Sequence, residues 1–150
     1  MRIYVDTSVI NGLYAQDPAI KAKTAQFFKN VRLFGYALYG SEVTIDEINH
    51  TPQESKKALL QNIIEEYKIE LLSLTKEARR LAREYINAKI IPRKYSPDAL
   101  HIAIAAIYNI PVLVSWNFEH MVKVKTRLAI SEVNRKLGIP IIEIATPEEV

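Results

Sequence analysis

The sequence predicts a three-layer α/β/α fold around a mainly parallel central sheet of about five strands. Three observations carry that prediction. Short apolar runs rich in β-branched residues alternate with segments of helical length. The segment IAIAAI at 102 to 107 is apolar nearly all round, as a helix packed centrally is. Oxygen-bearing side chains stand directly after several of the strand-like runs, where an open parallel sheet presents its ligand edge.

Taken in order, IYV at 3 to 5 is the first strand and ends at Asp6. Ala19 to Phe34 has helical length and period, and YALY at 36 to 39 is the second strand. SEVTIDEI follows at once and places Glu47 in the first turn of a helix at that strand's end. Pro52 to Tyr67 is helical, IELLSL at 69 to 74 is a third strand, and Lys76 to Ile90 is a helix with its charges on an exposed face. In Pro97 to Tyr108, Leu100, Ala103, Ile104 and Ile107 form one apolar stripe. VLVS at 112 to 115, a helix from Val122 to Leu137, and IPIIEI at 139 to 144 complete the alternation. No internal repeat, Gly/Ser linker or low-complexity tract interrupts it, and 150 residues suit one domain over 1–150.

Composition narrows the function classes. Apolar residues at 49% and charged residues at 25% fit an ordered globular chain with a core. The absence of cysteine excludes a disulfide framework and thiolate zinc sites, so a metal would be held by oxygen or imidazole, and a reducing cytoplasm is the expected location. The apolar run before Asp6 is too short for a secretory signal, and nothing later approaches the ~18 uninterrupted apolar residues of a membrane span. A net charge of +3 suits a polyanionic partner without requiring one. A nucleotide-binding doubly wound domain would need a glycine-rich phosphate loop, and none of the four glycines has that spacing.

Four junctions carry candidate chemistry, and each also admits a local reading. Asp6 sits at the end of the first strand, where it could equally cap the next helix. Glu47 could face the same edge, or as the last residue of a T-x-x-E capping box reach back to Thr44. Asp98 in SPDALHIAIA could face the edge, or complement the dipole of a helix with Ser96 as its cap and Pro97 as its first residue. Asn117 in VLVSWNFEH could hold a metal-bound water through its amide oxygen, or simply make a turn. One or two such placements arise by chance more readily than four.

Around these, Thr7, Ser8 and Ser115 are hydroxyls that could orient the acids or cap locally. His101 and His120 could neighbour phosphate or serve structure. Arg93 and Lys94 before the Asp98 helix, with Lys123, Lys125 and Arg127 after the SWN turn, could hold phosphates or form a solvated face. Trp116 could stack on a base or belong to the core.

MRIYVDTSVI, VTIDEI, SPDALHIAIA and VLVSWNFEH, in that order and spacing across essentially the whole chain, resemble the PIN-domain nuclease family. The resemblance implies metal-binding acids at Asp6, Glu47 and Asp98, with Asn117 where a fourth acid often stands. It implies hydrolysis of RNA phosphodiester bonds with Mg²⁺ or Mn²⁺, Ser8, Ser115, Arg93 and Lys94 serving the substrate. Small PIN proteins resemble the toxins of toxin-antitoxin pairs, which implies RNA as substrate, an antitoxin protein as partner and a homodimer. Asn117 keeps open a second class, a PIN-like module that binds RNA or protein without cutting. Carboxylates ~4 Å apart repel by roughly 4 kcal/mol per pair at an effective dielectric of ~20, so a cluster of them calls for a cation or a proton. An all-oxygen set favours a hard ion such as Mg²⁺ or Mn²⁺.

Overall fold

The computed structural model describes residues 1–150. The strands are β1 (Arg2–Val5), β2 (Ala37–Ser41), β3 (Glu70–Leu72), β4 (Val112–Val114) and β5 (Glu143–Ala145). The helices are α1 (Thr7–Gly12), α2 (Pro18–Phe34), α3 (Glu42–Asn49), α4 (Glu54–Glu66), α5 (Lys76–Asn87), α6 (Ser96–Ile107) and α7 (Val124–Lys136). Short 3-10 turns cover Arg93–Tyr95 and Pro147–Glu149. The five strands form one sheet in the order β3-β2-β1-β4-β5, and every pairing is parallel.

That order sets the location of the site. Successive connections run one way from β1 through β2 to β3 and the other way through β4 to β5, so the direction of winding reverses between β1 and β4. A crevice opens outside the carboxyl ends of the strands at such a reversal. Asp6 and Ser115 are the first residues beyond β1 and β4, and the Asp6 amide still bonds to the Val114 carbonyl at 3.2 Å.

Side-chain alternation along β1 builds a core on each face. Ile3 and Val5 pack with Val9 and Ile10 of α1, Phe27, Phe28 and Val31 of α2, and Leu60 and Ile63 of α4. Tyr4 points the other way, into the cluster of Ala78, Leu81 and Tyr85 of α5, the apolar run of α6 and Ile130 of α7. The expectation for 102 to 107 holds: Ile102 to Ala106 are all 0% exposed.

The short elements at the ligand edge differ most from the sequence expectation. Glu47 lies in the second turn of α3, because Ser41 caps this helix: its Oγ accepts the Val43 amide at 3.1 Å and Thr44 Oγ1 accepts the Ser41 amide at 3.1 Å. Ser96 is inside α6, whose N-cap is Tyr95 at the end of the 3-10 turn. β5 is only Glu143–Ala145, since Pro140 brings no amide hydrogen to a ladder and its carbonyl is taken by Asn134 Nδ2 at 2.9 Å. α5 stops at Asn87, and Lys89 turns the chain with φ 59°.

Gly12 ends α1 against α2. A Cβ there would stand 2.5 Å from Thr24 Oγ1 and 3.1 Å from Trp116 Nε1, the two atoms that bond to each other at 2.9 Å. Gly12→Ala therefore loosens the strap between α2 and the segment after β4. The expected cost is about 1–3 kcal/mol, read as a lower urea midpoint at unchanged slope. An unchanged midpoint would show that Thr24 gives way freely.

Candidate active site

Asp6 is 4% exposed and receives three donors. Ser8 Oγ donates to Oδ1 at 2.5 Å, Ser115 Oγ to Oδ2 at 2.6 Å, and the Val9 amide to Oδ1 at 3.3 Å. The capping role read from sequence is present, but it is one of three contacts. Both serines are spent on Asp6, and their own oxygens accept the amides of Trp116 and Asn117, each at 2.9 Å. They brace the acid and the chain after β4 together, the orienting role that their place beside Asp6 had allowed. Burial raises the Asp6 pKa above the ordinary carboxylate range, His101 and the serine hydroxyls pull against it, and the Glu47 charge adds to the rise.

Glu47 does not reach back to Thr44. Its Oε1 accepts Thr7 Oγ1 at 2.8 Å and meets His101 Nε2 at 2.5 Å. Burial opposes ionisation of Glu47, but the His101 and Thr7 hydrogen bonds with the His101 charge win, and its pKa falls below the ordinary value. His101, 2% exposed, meets Tyr4 Oη through Nδ1 at 2.7 Å, and Tyr4 Oη meets Ser41 Oγ at 2.8 Å. Donor counting assigns the direction for each state of the ring. With a neutral ring, Ser41 Oγ accepts the Val43 amide and gives its proton to Tyr4, Tyr4 donates to Nδ1, and Nε2–H donates to Glu47; with a charged ring, both ring nitrogens donate and Tyr4 passes its own proton to Ser41. Burial raises the Tyr4 pKa, so the phenol keeps the proton this chain needs.

Asp98, in the first turn of α6, accepts Asn117 Nδ2 at 3.0 Å on Oδ2, and His120 Nδ1 lies 3.3 Å from the same oxygen. Burial raises its pKa, His101, Asn117 and His120 lower it, and Glu47 raises it again. Asn117, expected to hold a metal or a metal-bound water, bonds to Asp98. Its Oδ1 accepts the His120 amide at 2.9 Å, and a backbone amide can only donate, so the side-chain NH₂ must face Asp98. Asn117 holds Asp98 from the position where a fourth acid was expected.

Asp6, Glu47 and Asp98 thus converge on one edge, close enough for the Glu47 charge to raise both aspartates. No group of three acid or imidazole side chains is drawn together closely enough to hold one metal ion. The donor set nevertheless fits a hard divalent cation. Glu47 Oε2 and Asp98 Oδ1 carry no protein hydrogen bond, the donors are oxygen, and Mg²⁺ keeps most of its waters while taking one or two carboxylates.

The outlying candidates divide. Trp116 is 9% exposed and bonded to Thr24, so it belongs to the core, while Phe118 two residues on is 54% exposed and is the aromatic at this turn free to meet a base. Arg127 donates to the Ile144 carbonyl at 3.1 Å and serves the sheet. Lys94 Nζ lies over the Tyr95 ring at 5.0 Å, and Tyr95 stacks on His120 with centroids 3.9 Å apart, which puts Lys94 two rings from Asp98. Arg93 lines a separate hollow with Ile86, Asn87, Lys89, Ile91 and Pro92. Sequence reasoning undervalued His101. The signal was its place three residues after Asp98, which puts both on one helix face.

The chain matches the PIN domain family over residues 3–121. No curated protein matches it by sequence. Among solved structures it is similar to FitAcB from Neisseria gonorrhoeae, at 14% identity and TM-score 0.60, covering 99% of each chain. It is similar to VapBC2 from Rickettsia felis, solved bound to a DNA fragment from its promoter, at 14% identity and TM-score 0.56, covering 96% of this chain and 97% of that one. VapC20 of Mycobacterium tuberculosis, described as a toxin that cleaves the sarcin-ricin loop, aligns at 14% identity and TM-score 0.58 over 79% of this chain and 92% of its own. At these identities the likeness is one of fold.

Asp98→Asn separates the two readings of this acid. A carboxyl whose folded pKa is raised binds its proton more tightly in the native state, so its ionisation weakens the fold as pH rises. Asparagine cannot ionise. In chelator, the variant should gain on the wild type as pH rises above about 4, read in urea midpoints. If Asp98 serves only the helix dipole, the variant instead loses ground as pH rises, by roughly 0.3–1 kcal/mol.

Proposed function

The chain belongs to the PIN domain family, one of nucleases, and we propose that it is a metal-dependent endoribonuclease, the toxin of a toxin-antitoxin pair. The observation that carries the proposal is the convergence of Asp6, Glu47 and Asp98 at the sheet's winding reversal, two of them raised by burial and by the charge of the third. Similarity of fold to VapC20, described as a toxin that cleaves the sarcin-ricin loop, and to FitAcB and VapBC2 supports the toxin reading, and an antitoxin partner and a homodimer are proposed with it.

Asp6, Glu47 and Asp98 would hold Mg²⁺ or Mn²⁺. When bound, the ion makes a water nucleophilic near neutral pH and steadies charge on the phosphate. The chain's own contribution is preparation. Ser8 and Ser115 keep Asp6 in one rotamer. His101 and Thr7 occupy Oε1 of Glu47, which leaves Oε2 without a protein hydrogen bond. Asn117 and His120 do the same for Oδ2 of Asp98. Outer partners of this kind change metal affinity or activity by about 10–100-fold when removed.

Fluorescent single-stranded RNAs incubated with the protein test the proposal. Internal cleavage should appear with Mn²⁺ or Mg²⁺, vanish with chelator, and fall by about a hundredfold or more in Asp6→Asn. RNA bound but uncut at every metal concentration would replace the enzyme with a binding module, the role that a neutral Asn117 beside Asp98 favours.

A further inference from the structure

Two grooves meet the acidic centre, and they carry opposite charge. The first, of about 440 Å³, lies between the segment after α5 and the start of α7, and its lining includes Lys89, Lys123, Lys125, Glu119 and His120. It borders the centre at His120, which lines it and whose Nδ1 is 3.3 Å from Asp98. The second, also about 440 Å³, lies on the Glu47 side and is lined by Glu42, Asp46, Glu47, Arg79, Pro97 and Leu100 among others. One wall has three lysines against a single glutamate, and the other three carboxylates against a single arginine.

Two of the lysines, Lys123 and Lys125, stand where the fold gains nothing from their charge. All three are exposed, and none forms an ion pair within the chain. Glu119, the acid beside them, is within 3.6 Å of His120 instead. Lys123 is the N-cap of α7 and Lys125 lies in its first turn, which has no acidic residue and no side-chain cap. A helix N-terminus already carries partial positive charge and favours acids, so two cations there oppose the dipole. Lys89 holds φ 59°, a backbone conformation that disfavours any side chain. Positive charge set against the helix dipole at Lys123 and Lys125, and joined by the exposed Lys89 in the same groove, matches an external polyanion.

We propose that single-stranded RNA is gripped on one side of the scissile bond only: phosphates on that side lie along Lys89, Lys123 and Lys125, and the chain on the other side passes the acidic groove without being held. The proposal rests on the hydrolase reading for the position of the cut, but the groove itself can be tested without cleavage. Lys94, lying over Tyr95 beside His120, continues the cationic edge towards Asp98.

The test uses dye-labelled 2′-O-methyl RNA, which lacks the free 2′-hydroxyl, with chelator present so that no cutting occurs, and binding is read by anisotropy across a salt series. The triple variant Lys89→Ala/Lys123→Ala/Lys125→Ala should weaken binding at least about tenfold at low salt. It should also lower the slope of log Kd on log salt by about 2, since each phosphate contact on a single strand contributes about 0.7. Glu42→Gln/Asp46→Asn in the opposite groove should leave that slope unchanged. A triple variant with wild-type affinity and slope, and an unchanged unfolding midpoint, would overturn the proposal, as would a polyglutamate peptide bound as tightly as RNA. Once the cut is mapped, lengthening the oligonucleotide on one side should tighten binding and lengthening it on the other should not; equal gains would overturn the one-sided grip. Cleavage that ignores the lysines removes the groove alone, and lysine-dependent binding without metal-dependent cleavage removes the hydrolase alone.

Discussion

Like charge crowded at one edge is the constraint around which this molecule is organised. The parallel sheet delivers Asp6 from β1 and Glu47 from the helix after β2, and α6 brings Asp98 to the same edge. Glu47 disfavours the charged form of both aspartates. Each acid is therefore tied down from another part of the chain: Ser115 donates to Asp6, Thr7 and His101 meet Glu47, and Asn117 donates to Asp98 with His120 in contact beside it. The donors hold the carboxylates in place without neutralising the site. That is the state in which a cation gains most, because it meets acids already desolvated and already oriented.

The most demanding of these ties passes through the core. Ser41, Tyr4, His101 and Glu47 form a buried polar thread that joins β2, β1, α6 and α3. Tyr4 and His101 are 0% and 2% exposed, so a missing partner would leave a desolvated donor or acceptor, at about 1–3 kcal/mol each. No buried side-chain nitrogen or oxygen lacks a partner. The thread makes the aim of Glu47 a property of the sheet itself, since moving β1 against β2 would break it at Tyr4.

Much of this was legible in the sequence because it is local. Strand runs, the helix alternation and the acids just past strand ends are short-range patterns, and they led to the α/β/α fold and to Asp6, Glu47 and Asp98. What was illegible depends on partners far along the chain. Nothing near Asn117 tells that its NH₂ faces Asp98, 19 residues away, while its oxygen turns to the His120 amide. Glu47 fitted a T-x-x-E box, and only the competing cap at Ser41 releases it to meet His101, 54 residues on. Trp116 and Phe118 differ in role because Thr24, 92 residues from Trp116, bonds its indole.

The central proposal is that these three acids, so held, take up one cation. The most direct measurement is anomalous scattering from crystals of the protein soaked in Mn²⁺. The account predicts a manganese peak against oxygens of Asp6, Glu47 and Asp98 in the wild type and its loss in Asp98→Asn crystals of the same form. Manganese bound only elsewhere on the surface, or a wild-type edge without a peak at saturating Mn²⁺, would contradict it.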